Sequence, residues 1–332
     1  MQFDMRPLIS IVVPAYNTAP WIGEAVQSAL GQSISGIEVI VIDDGSSDDT
    51  YAVVSSIRDP RLRVVRQENA GLCAARNAGI RLSSGPYVGF LDSDDVWMPH
   101  KLREHVSVLD SRPDVDLTFS WSAIVAEDGT PAGHVVKARA GATTLEDILT
   151  LDPINNGSCV VLRREALDRA GPFDTGLRAC TDHDMWLRIA RLRPANAWCI
   201  PQPLTCYRRR SGQITKSWRL ARTETTKVMQ KLRVLEPGLG PSVWRRAESA
   251  NRAGYAFMAY EGGEAGQALR LAAPQMLYRP WTMRKWSLLA AIVARLLLPA
   301  RLFHLFKGLR ASTKRLSSGR LSSSAASGTS PH

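Results

Sequence analysis

The stretch Tyr87-Val88-Gly89-Phe90-Leu91-Asp92-Ser93-Asp94-Asp95 runs from an apolar strand into three carboxylates within four residues. Charge of that density straight after a buried strand asks for a cation. If the chain stays extended, alternation sends Asp92 and Asp94 to the same side. Both can then face a hard metal ion, which takes oxygen ligands and keeps phosphate as another. The competing reading is an acidic turn capping a helix that begins at Pro99, since Asp and Ser are the usual turn and N-cap residues.

Towards the N-terminus the same pattern recurs. Leu8 to Pro14 reads as a buried strand, and Trp21 to Leu30 carries helical periodicity. Ile37 to Ile42 is a second strand, ending in Asp43-Asp44-Gly45-Ser46-Ser47-Asp48, after which Asp49 to Ile57 reads as helix. Leu62 to Val65 is a third strand, Leu72 to Leu82 a helix and Tyr87 to Leu91 a fourth strand. Alternation with short links predicts a parallel sheet covered on both faces, with ligands at the carboxyl ends of its strands. The clusters Pro14-Ala15-Tyr16-Asn17, Asp43-Asp44-Gly45-Ser46 and Asp92-Ser93-Asp94-Asp95 each follow a strand, so they converge on one rim. Tyr16 offers an aromatic face to a base, Asn17 a donor and an acceptor, and Asp44 an acceptor for a pyrimidine ring N–H. Any acid of the 43–48 run equally suits a helix N-cap. Arg76, on the helix after Asn69-Ala70-Gly71, suits a diphosphate, Asp92 or a surface ion pair.

The chain has 332 residues, 45% hydrophobic and 22% charged, an ordinary globular composition. Its five cysteines, Cys73, Cys159, Cys180, Cys199 and Cys206, form no CxxC pair, which argues against a disulfide framework or a zinc knuckle and fits a reduced, cytosolic setting. Asp4 and the strand-like run from Leu8 leave no room for a secretory signal. From Ala265 onward there are eleven basic residues and no Asp or Glu; the remaining 31 basic residues match the 31 acidic ones, so the whole +11 sits in the tail. Such asymmetry suggests an arm that meets an anionic surface.

Four motifs in order, Pro14-Ala15-Tyr16-Asn17, Val41-Ile42-Asp43-Asp44-Gly45-Ser46, Asn69-Ala70-Gly71-Leu72-Cys73-Ala74-Ala75-Arg76-Asn77 and Phe90-Leu91-Asp92-Ser93-Asp94-Asp95, resemble the family 2 glycosyltransferases. The resemblance implies an α/β GT-A fold, with a Rossmann-like nucleotide-binding half, a mixed sheet and helices on both faces. It also implies a nucleotide-sugar donor, a divalent metal (manganese or magnesium) and inversion at the anomeric carbon. By the same resemblance Pro14, Tyr16, Asn17, Asp44 and Arg76 line the nucleotide pocket, Asp92 approaches the ribose or sugar, and Asp94 binds the metal. By the same resemblance uracil fits the Asp44 pattern, making a UDP-sugar the expected donor, while thymine presents the same ring N–H and guanine stays open.

In the second half, Val115 to Ala126 reads as a strand, and Asn155-Asn156-Gly157-Ser158 precedes another apolar run ending in Arg163-Arg164. Gly171-Pro172-Phe173-Asp174 and Cys180-Thr181-Asp182-His183-Asp184-Met185-Trp186-Leu187-Arg188 resemble the family's turn and base motif, implying Asp182 as general base. An attacking sugar hydroxyl must lose its proton on the face opposite the leaving diphosphate, so a base is needed across the pocket from the metal. The plainer reading is that Asp182 caps the helix carrying Trp186, with His183 on the helix surface. Two positions depart from the family pattern. Thr181 stands where many members carry an acid, and Arg210 stands where relatives place a His near metal or diphosphate. Arginine cannot ligate a metal but can hold phosphate oxygens, so Arg210 is assigned to the donor and Asp94 is left with diphosphate and water as fellow ligands.

Residues 1–110 are expected to form the nucleotide-sugar half and 111–216 the acceptor half with the base. Residues 217–310 are expected to form a helical extension and 311–332 a disordered basic and Ser-rich tail. Trp286 to Phe306 is the most apolar stretch, but Arg295, Pro299 and Arg301 argue against a full membrane span. Residues 279–315 fit peripheral contact with an anionic membrane at the cytoplasmic face of the inner membrane, or a helix packed on the catalytic domain. No nucleic-acid-binding motif accompanies the basic tail, so nucleic acid is not the expected partner. The expected function is therefore an inverting glycosyltransferase acting on a glycan or lipid-linked precursor in surface polysaccharide synthesis. A nucleotidyltransferase and a non-catalytic nucleotide-sugar scaffold are the alternatives, the first disfavoured because the loop after the first strand carries no Lys or Arg.

Overall fold

In the computed structural model, residues 6–210, 217–274, 289–290 and 292–293 are described. The first half alternates as its sequence predicts. Strands β1 (Ile9–Ala15), β2 (Ile37–Asp43), β3 (Leu62–Arg66) and β4 (Tyr87–Phe90) are linked by helices α1 (Ala19–Leu30), α2 (Thr50–Ser56) and α3 (Leu72–Leu82). β1 and β4 are buried along their whole length, and β2 nearly so, which is why they read as continuous apolar runs rather than as alternating ones. They pair in the parallel order β3-β2-β1-β4, so the carboxyl ends of β1, β2 and β4 share an edge.

Beyond β4 the sheet becomes mixed. After β5 (Val96–Trp97) come α4 (Lys101–Ser111), β6 (Leu117–Val125), β7 (Pro131–Val136), β8 (Gly141–Thr143) and α5 (Leu145–Leu151). Then follow β9 (Val160–Arg163), α6 (Arg164–Ala170), α7 (Thr181–Ala190) and β10 (Ala197–Arg208). The sheet continues β4-β9-β6-β10-β5, with β9 antiparallel to both neighbours and β10 parallel to β6. One core cluster lies under β1, β2 and α1; a second joins Phe90, Phe119, Phe173 and Trp186.

The chain divides into two compact units, residues 1–250 and 251–332. In the first, α8 (Trp218–Leu235) and the start of α9 (Pro241–Glu261) bury Val228, Met229, Leu232, Trp244 and Ala247 in the Trp186 cluster. In the second, the end of α9 and α10 (Ala265–Ala272) contain buried Ala256, Ala259 and Ala268. Among the described residues no helix is long and apolar enough to cross a membrane. Most of the stretch assigned to membrane contact, 279–315, and the whole 311–332 tail lie outside the described residues.

Candidate active site

The rim at the ends of β1, β2 and β4 gathers the predicted clusters. Pro14 is buried in β1, whereas Tyr16 just beyond is 49% exposed, an aromatic face turned to solvent. Asn17 has a left-handed backbone, φ 50°, uncommon without glycine, and its Oδ1 accepts from the Ser47 N–H at 2.8 Å while its own N–H donates to Ser46 Oγ at 3.0 Å. These bonds stitch the first cluster to the second. Asp44 is buried and is not a helix cap: its carboxylate accepts from Gln67 Nε2 (2.7 Å) and the backbone N–H groups of Ala70 (3.0 Å) and Gly71 (2.7 Å). It holds the loop that leads into α3.

The acidic stretch departs from the geometry assumed for it. It does not stay extended, because the Asp95 N–H closes a turn onto the Asp92 carbonyl at 3.0 Å. Asp92 and Asp94 are therefore not placed by strand alternation, and each is held by a different arginine. Arg76 Nη2 donates to Asp92 Oδ1 at 2.8 Å, and Arg210 Nε donates to Asp94 Oδ2 at 2.5 Å. Nor does the stretch cap a helix at Pro99; α4 starts at Lys101, with His100 at the N-cap and no side-chain cap bond. Burial, with Asp92 nearby, raises the pKa of Asp94 above the ordinary carboxylate value, against the pull of Arg210.

Several supporting residues went unassigned in the sequence. Asp95 is fully buried beneath the turn, accepting from Ser158 Oγ at 2.5 Å and the Arg208 N–H at 3.0 Å. Ser158 Oγ also accepts from the Asp92 N–H at 3.0 Å, and the Ser158 carbonyl accepts from Trp97 Nε1 at 2.7 Å. Arg208 Nε donates to the Asp94 carbonyl at 2.8 Å and its Nη2 to Glu24 of α1 at 2.6 Å. The third Asp of the run and the Asn156-Gly157-Ser158 loop were visible in the sequence, but only the fold gives them partners. Asp95 belongs to the support of the turn; it faces inward.

Asp182 reaches the same rim from α7. The N-cap of that helix is Cys180, itself at φ 58°, with no side-chain cap bond, so Asp182 is not a cap. Its Oδ1 accepts from Arg76 Nη1, the same guanidinium that holds Asp92. Burial raises the Asp182 pKa, Arg76 opposes this, and Asp92 reinforces it. Asp184 pairs with Arg188 at 2.9 Å, and His183, expected at the helix surface, places Nδ1 3.0 Å from Asp152. Burial works against charging His183, and the Asp152 carboxylate overcomes it, raising its pKa.

A divalent cation here would draw on few protein ligands. Among the described residues no three His, Cys, Asp or Glu side chains gather as a metal cage. Asp94, whose second oxygen is unshared with Arg210, suits a cation that takes its other ligands from phosphate and water. Arg210 lies within 5.0 Å of the Trp21 ring.

Residues 10–171 match the family model described as glycosyl transferase family 2. TuaG of Bacillus subtilis (strain 168), named for teichuronic acid biosynthesis, is 30% identical over 223 residues, covering 66% of this chain and 86% of TuaG. The uncharacterized glycosyltransferase RP339 of Rickettsia prowazekii (strain Madrid E) is 30% identical over 190 residues, 56% of this chain, and the chain spans 59% of that relative's length. Among solved structures, S. aureus TarS 1–349 in complex with UDP-GlcNAc superposes with a TM-score of 0.57 at 19% identity, covering 86% of each chain. The mannosyltransferase PcManGT from Pyrobaculum calidifontis, in complex with GDP-Man and Mn2+, gives 0.57 at 23% identity over 88% of each chain. These likenesses show the fold, which is GT-A. With a match that spans most of TuaG and a family model over the first half, the chain belongs to glycosyltransferase family 2.

Proposed function

We propose that this chain is an inverting transferase that moves a sugar from a nucleoside diphosphate to a hydroxyl of a glycan or lipid-linked glycan precursor of a surface polysaccharide. The observation that carries this reading is the meeting of Asp182 with Asp92 on one buried guanidinium, since it brings the base motif of the second half against the donor rim of the first. Pro14, Tyr16, Asn17, Asp44, Arg76 and Asp92 line the nucleotide side, with a UDP-sugar as the expected donor. Asp94 would hold a divalent cation, manganese or magnesium, which supplies neutralisation of charge on the diphosphate. Arg210, released from Asp94, would hold a phosphate oxygen in the bidentate manner open to arginine. Asp182 takes the proton of the attacking hydroxyl. Its pKa lies above the ordinary carboxylate value, so transfer falls as pH drops through that raised pKa, and is lost at a higher pH than an exposed aspartate would dictate. The relative named for teichuronic acid biosynthesis supports a polysaccharide acceptor.

The test is a thermal-shift panel of UDP, dTDP, GDP, CMP and ATP with and without manganese, repeated on Asp94→Ala. Saturation at a hundred times the dissociation constant raises stability by about 2.7 kcal/mol. A manganese-dependent shift with one nucleoside diphosphate, lost in Asp94→Ala, is expected; no shift with any nucleotide would contradict the reading.

A further inference from the structure

We infer that Arg76 is the positioning residue of the base: one buried guanidinium ties Asp182 to Asp92, fixes Asp182 Oδ1 and turns Asp182 Oδ2 to the acceptor. This rests on the assignment of Asp182 above and extends it to a residue otherwise assigned to the nucleotide pocket alone.

Arg76 is 1% exposed, although it is charged at every accessible pH. Its Nη2 donates to Asp92, 16 positions along the chain, and its Nη1 to Asp182, 106 positions along. Its planar fork holds the two carboxylates at a fixed separation and angle, whereas the rotatable ammonium of a lysine would hold them without that rigidity. The guanidinium carbon lies 5.2 Å from the Phe173 ring centroid and 6.0 Å from that of Phe90. Neighbouring Asn77 fixes the first of these rings, donating to the Phe173 carbonyl at 2.9 Å and accepting its N–H at 2.8 Å. Thus α3 grips the second half of the site at two consecutive residues, and the arginine has little room to move.

Gly157 supplies the other wall. A Cβ built there would lie 2.8 Å from Arg76 Nη2 and 3.2 Å from Asp182 Oδ2, so only glycine admits the pair without displacement. Asp182 Oδ1 takes Arg76 and, at 3.4 Å, Thr181 Oγ1, whereas Oδ2 receives no hydrogen bond from a described residue. With one oxygen pinned, the lone pairs of the other are presented beside Gly157. An acceptor hydroxyl reaching Oδ2 gives up its proton there as its oxygen bonds to the anomeric carbon and the bond to the diphosphate breaks; the proton remains on Asp182. The groups that bear on this carboxylate are Arg76 and Cys73 of α3, Asp92, Cys159 after Gly157, and Cys180 and His183 around the start of α7. Arg76 is the permanent cation among them, and it opposes the effects of burial and of Asp92.

Three variants separate positioning from simple donor binding: Arg76→Lys, Arg76→Met and Gly157→Ala, the last retaining every charge if loss of the buried arginine prevents folding. Asp182 is followed in the donor-free protein by carboxyl 13C NMR, its signal identified by its loss in Asp182→Asn, and kcat and donor KM are measured across pH. Positioning predicts that Arg76→Lys and Gly157→Ala each lower kcat by about a hundredfold, the loss expected when a catalytic group is misplaced, and that donor KM in Gly157→Ala, which keeps every donor-side residue, changes less than about threefold. It also predicts that Asp182 titrates at higher pH in Arg76→Met, with Arg76→Lys between that variant and wild type. The inference is overturned if the variants raise donor KM while kcat and the Asp182 titration stay at wild-type values. If wild type turns over no nucleotide sugar, the assignment of function fails, and the titration alone still decides whether Arg76 governs Asp182.

Discussion

Asp44 and Asp182 are both carboxylates of the same rim, and they are held in opposite ways. Asp44 is fixed from within its own half, by two backbone N–H groups and a glutamine on the segment that follows β3. Asp182 is fixed from the other half, by an arginine 106 positions away. Neutral donors at Asp44 build a rigid loop; a shared cation at Asp182 builds a joint between halves. The difference teaches that the proposed donor side is held by bonds within the first half of the sheet, whereas the proposed base is held by a side chain from the opposite half.

The comparison can be broken at the joint. Replacing both Asp92 and Asp182 by Ala leaves the Arg76 guanidinium buried without its two ion-pair partners, and should cost about 3 to 5 kcal/mol in urea denaturation. A second buried cation gives the opposite sign. Lys101 is fully buried with His105 Nε2 3.1 Å away, and burial lowers its pKa from 10.5 to about 7. Because the folded state binds the proton less tightly than the unfolded chain, stability should rise with pH between those two values. Lys101→Met should remove that slope and stabilise the protein by about 1 to 4 kcal/mol at neutral pH, read from denaturation across pH. Asp44→Ala strands the donors of the 67–71 loop and should cost about 1 to 3 kcal/mol by the same measurement. The smallest effect is expected away from the site, where Thr144 and Asp147 form a capping box on α5; Thr144→Ala should cost about 1 kcal/mol and leave nucleotide binding unchanged.

The same contrast marks what the sequence makes legible. The parallel half was readable because each strand is a buried apolar run and each connection is short, so β1 to β4 and α1 to α3 fall within a residue or two of their expected limits. The convergence of the 14–17, 43–46 and 92–95 clusters followed from that alternation. The turn at Asp92–Asp95 was only the competing reading, and it comes without the helix cap attached to that reading; a strand pattern says nothing about the residue where the strand stops, and it stops at Phe90. Nor did the alternation reveal the roles of Asp95, Ser158, Arg208 and Glu24, whose partners lie 61 to 184 positions apart. Arg76 was legible as a partner for Asp92, since the two share the donor half. Its second bond, to Asp182, depends on how α7 is laid against α3 and has no signature in local composition.

The most direct test of the account is release of nucleoside diphosphate, followed by 31P NMR, from UDP-, dTDP- and GDP-sugars with manganese, in parallel for wild type and Asp182→Asn. The account predicts that wild type cleaves one donor class, and that Asp182→Asn binds that donor equally well but turns over about 10² to 10⁴ times more slowly, the contribution expected of a general base. Equal turnover by the two proteins, or no cleavage of any sugar nucleotide by wild type, would contradict it.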